Sequence, residues 1–231
     1  MDEASLFDIG ITSVQETIKA LAIFLEQVTA LNDTLHHPQH IPKHQPSPSA
    51  PSHEDVHTPK RHSSHPSNHA PSVAYTRFHA RSVPTISIQA YLTRILKYCP
   101  CNNEVFLSLL VYFNRMTERN GSFVVDSYNV HRLIISGVMV SAKFFSDVFF
   151  TNSRYAKVGG LPVGELNTLE VEFLALNDFS LYISVPELQA WGDLIFQLRK
   201  SPSELREHLA RDGASFPLIV GDLKASTTAI P

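Results

Sequence analysis

Cysteine, long apolar runs and surplus charge are what this 231-residue sequence has least of. Its two cysteines, Cys99 and Cys101, stand together in "YCPC". They are too close to staple distant segments and too few for a structural zinc site. Such cysteine usage predicts a reducing compartment, nucleus or cytoplasm. No apolar run approaches the ~20 residues of a membrane-spanning helix. The opening "MDEASLFDIG" is acidic where a signal peptide is basic. A soluble intracellular protein without a membrane partner is therefore expected. The net charge is only −3, so no whole-molecule field draws the chain to a polyanion. Residues 75–198, the apolar-rich part, carry ten Lys plus Arg against ten Asp plus Glu. That balance argues against nucleic-acid binding.

Catalytic motifs are missing from the dense part of the chain as well. Residues 75–198 have no HExxH, no GxSxG and no paired acids at metal-ligand spacing, and they hold only two histidines, His79 and His131. His131, within a long helical pattern, reads as a core or capping histidine. "GGLPVG" at 159–164 follows a helix instead of a strand and lacks the phosphate-loop lysine, so its glycines are expected to end one helix and turn into the next. Neither enzyme, metal centre nor cofactor is expected.

What the chain does have falls into four parts. Residues 1–35 contain one helical pattern at 13–31, opened by the capping box Ser13/Glu16 and lined by Val14, Ile18, Leu21, Leu25 and Val28. Residues 36–74 are a His/Pro/Ser tract whose few apolar side chains cannot offset the entropy of ordering, which predicts a disordered insertion. Its nine histidines between 36 and 69 lack zinc-finger spacing. Within it, "TPKR" from Thr58 has the Ser/Thr-Pro-x-basic form favoured by proline-directed kinases, and Ser47-Pro48 is a weaker instance. Both are candidate phosphorylation sites, although Pro/Ser-rich composition also generates such dipeptides without modification. Residues 199–231 read as a mostly flexible tail.

The dense part, 75–198, predicts five helices, at 87–99, 103–118, 126–149, 164–176 and 184–198. No stretch alternates, so the fold class is all-α. The third helix is apolar on nearly every side and is expected to be central, with Ser136, Gly137 and Ser141 small enough for neighbours to approach closely. Two charges interrupt this apolar pattern. Lys143 lies in the most apolar part of the third helix, and Glu170 lies between Leu166 and Phe173 on the fourth. Each alone could reach water at an edge. Two opposite charges on adjacent helices could instead meet each other and a further polar group, because a lone buried charge costs several kcal/mol (~3–5). A polar pair ringed by Leu and Phe is also what a protein-docking surface looks like.

Taken together, "RFHARSVPTISIQAYLTRILKY", "FLSLLVYFNRM", "YNVHRLIISGVMVSAKFFSDVFFTNSRYAKVGG" and "ELNTLEVEFLALNDFSL" resemble the cyclin box of the fungal phosphate-signalling cyclins, the Pho/Pcl or P-type group. The resemblance covers residues 75–198. It implies a single cyclin box with an extra N-terminal helix, in a regulatory subunit that binds and activates a cyclin-dependent serine/threonine kinase. A kinase inhibitor and phosphorylation substrates are further partners it implies. Lys143 and Glu170 match the polar centre of the family's kinase-docking surface, and Phe144, Leu174 and Phe179 match the apolar positions around it. Asp147 matches an acid that faces the kinase activation segment in this group. A cyclin-fold adaptor or transcription-related protein without kinase activation is the alternative.

Overall fold

The computed structural model describes residues 7–36 and 76–200, which form seven helices and no strand. They are α1 (Val14–His36), α2 (Ile88–Tyr98), α3 (Asn103–Arg119), α4 (Val130–Phe145), α5 (Asn152–Gly159), α6 (Val163–Leu176) and α7 (Val185–Lys200). Apart from His36, which ends α1, the His/Pro/Ser insertion, with Thr58 and Ser47, lies outside the described residues, as does all but the start of the 199–231 tail.

Helix α4 is enclosed because its sequence leaves it no polar face. Twelve of its sixteen residues are buried, and α2, α3, α5 and α6 pack around it. The small residues do what their size predicts. A Cβ on Gly137 would stand 2.5 Å from Leu109 and 3.1 Å from Phe173, so α3 and α6 approach to the limit that glycine allows. Ser141 exchanges a 2.8 Å hydrogen bond with Ser108 of α3, which satisfies two buried hydroxyls. His131 is a core histidine, its ring edge-on to Tyr91 with centroids 5.1 Å apart. Its Nε2 donates to the Ile86 carbonyl at 2.9 Å. Burial holds its pKa below the ordinary imidazole value.

Helix α1 shares this core instead of standing apart. It packs on α2, α3 and α7, with Ile18, Leu21, Leu25 and Val28 buried. Polar bridges fix it lengthwise: Thr17 donates to the Asn103 side chain at 2.8 Å, and Asn32 donates to the Val125 carbonyl at 2.8 Å.

Two expectations need correction. The third predicted helix, 126–149, is shorter at both ends. Before Val130 the Asp126 carboxylate accepts from the backbone of Tyr128 and Asn129 at 2.9 and 3.0 Å, so side-chain bonds replace a helical turn. After Phe145, Ser146 becomes extended. The second correction is that five helices in the dense region become six. The eight residues of α5 are too few to show periodicity, but Thr151 caps them through its hydroxyl, accepting from Arg154 N. Gly160, at φ 72°, ends α5 in the left-handed conformation that glycine adopts without strain. The glycines of "GGLPVG" thus end a helix as expected, but the helix is α5.

Both cysteines are free thiols. Burial, then the neighbouring Cys99 and Glu104, push the Cys101 thiol up to about 12, and burial also raises Cys99. In the native chain at pH 8, alkylation of either thiol is expected to run at least tenfold slower than in the denatured chain. Equal rates, followed by mass spectrometry, would contradict this. For Gly137→Ala, the gain in helix propensity of about 1 kcal/mol is opposed by overpacking of ~1–3 kcal/mol against Leu109 and Phe173. A lower Tm by calorimetry is expected.

Candidate functional site

Lys143 is in the last turn of α4 and Glu170 in the middle of α6, and the packing of these helices brings them together. The lysine Nζ donates to Glu170 Oε1 at 2.6 Å. The other carboxylate oxygen accepts from Asn152 Nδ2 at 3.0 Å. The Asn152 amide also donates to Asn167 Oδ1, at 2.8 Å. Of the two readings open in the sequence, the pair with a third polar group is the one formed. Its side chains remain 28 % and 18 % exposed, so the cluster is open to water on one side. Lys143 makes no other hydrogen bond among the described residues, which leaves two of its three ammonium donors for a partner.

Apolar side chains stand in water around this cluster. Phe144, next to the lysine, is 45 % exposed. Its ring meets that of Phe145 edge-on at 5.0 Å. Val148 and Phe149 are exposed in the stretch linking α4 to α5, and Val171 is exposed on α6 beside Glu170. Leu174 follows Glu170 by one turn and is half-buried against the core. Phe179, just beyond α6, is 68 % exposed.

Phe179 is held out by a defined turn. Its N–H reaches back to the Leu174 carbonyl at 2.8 Å while that of Asp178 bonds Ala175 at 2.9 Å, the paired pattern of a Schellman cap. Both residues have positive φ, 53° and 54°, where side chains other than glycine's are strained. The Asn177 side chain donates to the Phe173 carbonyl at 3.0 Å, and the Arg119 guanidinium donates to the Asn177 carbonyl. These bonds hold a conformation that costs roughly 1–3 kcal/mol per strained residue. An exposed phenylalanine is thereby fixed instead of folding back onto the core.

The structure therefore joins Lys143 to Glu170, sets Leu174 one turn along α6, and ties the Phe179 backbone to Leu174. Phe144 projects beside the lysine. Asp147 is exposed in the linking stretch and forms no hydrogen bond or ion pair with the cluster. Sequence reasoning did not find Asn152, Val148 or Val171. The signal for Asn152 was Thr151, a helix-capping residue type directly before it. Val148 was hidden by extending α4 too far, and Val171 lies off the Leu166–Phe173 stripe of α6 and so carried no signal.

A model of the family described as Cyclin matches residues 15–181, from the start of α1 past the end of α6. The chain belongs to the cyclin family. It is 58 % identical over 119 residues to the PHO85 cyclin-like protein psl1 of Schizosaccharomyces pombe, covering 51 % of this chain and 49 % of that protein. To PHO85 cyclin-7 of Saccharomyces cerevisiae it is 51 % identical over 131 residues, covering 52 % and 46 %. Cyclin-U4-1 of Arabidopsis thaliana is 46 % identical over 114 residues, covering 49 % and 56 %. The chain thus spans about half the length of the relatives it matches. The names of its fungal relatives agree with the Pho/Pcl resemblance, and the seven helices of the described residues form an all-α cyclin fold. Because the cyclin model begins at residue 15, the matched region includes α1 together with the helices of 76–181.

Because both partners keep contact with water, the cyclin's ion pair adds little stability. Lys143→Ala and Glu170→Ala are each expected to lower unfolding free energy by no more than ~1 kcal/mol in urea denaturation. A loss above ~3 kcal/mol would mark the pair as a core element.

Proposed function

We propose that this cyclin is the regulatory subunit of a cyclin-dependent serine/threonine kinase, docking it through the face centred on Lys143 and Glu170. The observation that carries this reading is the union of a fixed ion pair with an apolar rim of exposed Phe144 and Phe179 and half-buried Leu174. Such a face has the composition of an interface centre, apolar area for affinity and a few oriented donors for register. The free Lys143 donors fit the carbonyls at a helix end of the kinase, and the Glu170 carboxylate keeps the ammonium from turning away. Asp147 extends the face toward the kinase activation segment. The names of the fungal relatives support a kinase of the PHO85 kind.

No chemistry occurs on this chain; it changes a population. A cyclin that binds the active arrangement of the kinase more tightly than the inactive one shifts the equilibrium by that difference and by no more. Phosphate or nutrient signalling and cell-cycle control are the processes this reading places it in, within nucleus or cytoplasm. A kinase inhibitor and the substrates phosphorylated by the pair are the further partners. Thr58 and Ser47 are proposed phosphorylation sites of the same proline-directed type.

The test combines the purified chain with a recombinant kinase of this class and measures binding by pull-down and phosphate transfer to a Ser-Pro peptide. The wild-type chain is expected to raise transfer at least tenfold. Lys143→Ala, Glu170→Ala and Phe179→Ala are each expected to weaken binding by tenfold or more while melting like the parent. Full activation by all three variants would remove the assignment of this face. Binding without any activation would make the protein a cyclin-fold adaptor.

A further inference from the structure

A second feature has no part in the Lys143–Glu170 face. Between α2 and α5 lies a cavity of about 790 Å³ lined by Arg94, Lys97 and Tyr98 of the first helix and by Arg154, Lys157 and Val158 of the second. No carboxylate lines it. Among the described residues none of the four cations forms an ion pair, whereas Arg77, Arg115, Arg132 and Lys143 each pair with a glutamate. The chain as a whole is net negative, at −3. The positive cavity therefore runs against the sign of the molecule.

Its geometry is organised from both sides. Arg94 and Lys97 are one turn apart on α2, and Arg154 and Lys157 one turn apart on α5, so each pair projects from one face of its helix. Arg94 Nη2 donates to the Lys157 carbonyl at 3.3 Å. Arg154 Nε donates to the Tyr98 carbonyl at 2.8 Å. The Arg154 guanidinium also lies over the Phe150 ring, 4.1 Å from its centre. Arg94 spends one of its five donors on the scaffold, Arg154 meets both the Tyr98 carbonyl and the Cys99 thiol, and each keeps further donors. They are oriented before any ligand arrives, which lowers the entropy lost on binding. The two lysines are exposed and adaptable. Four like charges around one cavity repel one another, and a ligand of opposite sign relieves that repulsion.

We propose that this cavity docks a phosphorylated segment of another protein. A phosphate monoester offers a charge near −2 and three acceptor oxygens, which two oriented guanidinium forks flanked by ammonium groups match better than a single carboxylate. The space is larger than a phosphate needs, and Tyr98 and Val158 supply apolar wall for the side chains flanking the phosphorylated residue. A peptide uses both features, and a free phosphate uses only one. The site is separate from the kinase-docking reading and requires no kinase to be measured.

Fluorescence anisotropy on the full chain alone tests this, with dye-labelled degenerate peptide pools centred on phosphoserine or on serine and with inorganic tripolyphosphate as competitor. The phosphoserine pool is expected to bind at least tenfold more tightly than the serine pool, with affinity falling as salt rises. Lys97→Glu/Lys157→Glu, a double change of exposed side chains, is expected to abolish that preference without altering the circular dichroism. Lys143→Ala is expected to leave it intact, which separates this site from the kinase-docking face. Equal binding of the two pools overturns the proposal, as does a preference that survives the double charge reversal. Displacement by tripolyphosphate at concentrations at or below those of unlabelled phosphopeptide assigns the cavity to free polyphosphate and overturns the peptide reading.

Discussion

A helix without a polar face must be covered on every side, and α4 imposes that requirement on the whole molecule. Each of its buried Val, Leu, Ile and Met side chains contributes roughly 1.5–3 kcal/mol when removed from water, and α2, α3, α5 and α6 supply the cover. Packing around a glycine and two serines lets α3 and α6 close on it. Helices α1 and α7 then cover the outer side of α3. Against this sum, an ion pair in contact with water contributes at most ~1 kcal/mol. The fold is held by burial, and the ion pair serves position.

Cover runs out at the last turn of α4. There Lys143 and Phe144 emerge, and Glu170 with Asn152 fixes where the ammonium points. The short α5 is what makes this possible, because it delivers Asn152 to the carboxylate while Tyr155, Ala156 and Val158 close the core. Beyond α6 the chain accepts two strained residues to hold Phe179 in water. For an isolated globule both choices are unfavourable: aromatic area is left wet and backbone strain is retained. They become favourable in a molecule whose partner covers the face, since the partner then finds its apolar contacts and its polar anchor already in place.

Charge is distributed with the same economy. Elsewhere on the surface several basic side chains are neutralised by glutamates of a neighbouring helix, as in Arg115–Glu187 and Arg132–Glu165. Along α2 and α5 they are not. A nearly neutral protein thus presents a concave region that is wholly positive, which the net charge conceals because acids elsewhere cancel it in the sum.

Helical periodicity, capping residues and the placement of glycine and proline determined the fold class, the central position of α4 and the starts of α2, α3 and α7, because these depend on neighbours within a few residues. The same patterns singled out Lys143 and Glu170, since a charge on an apolar stripe violates the period wherever it occurs. Tertiary structure alone decided that the two touch, that Asn152 completes them, and that α1 joins the core across the intervening tract. It also decided how far apolar residues are covered: Leu174, on the apolar stripe of α6, is only half-buried, and Val171, off that stripe, faces solvent. Packing also set α2 and α5 side by side, which gathers four cations of two helices around one cavity. Local signals fix what each segment becomes; contacts between segments distant in sequence depend on which faces are left to pair once every segment has formed.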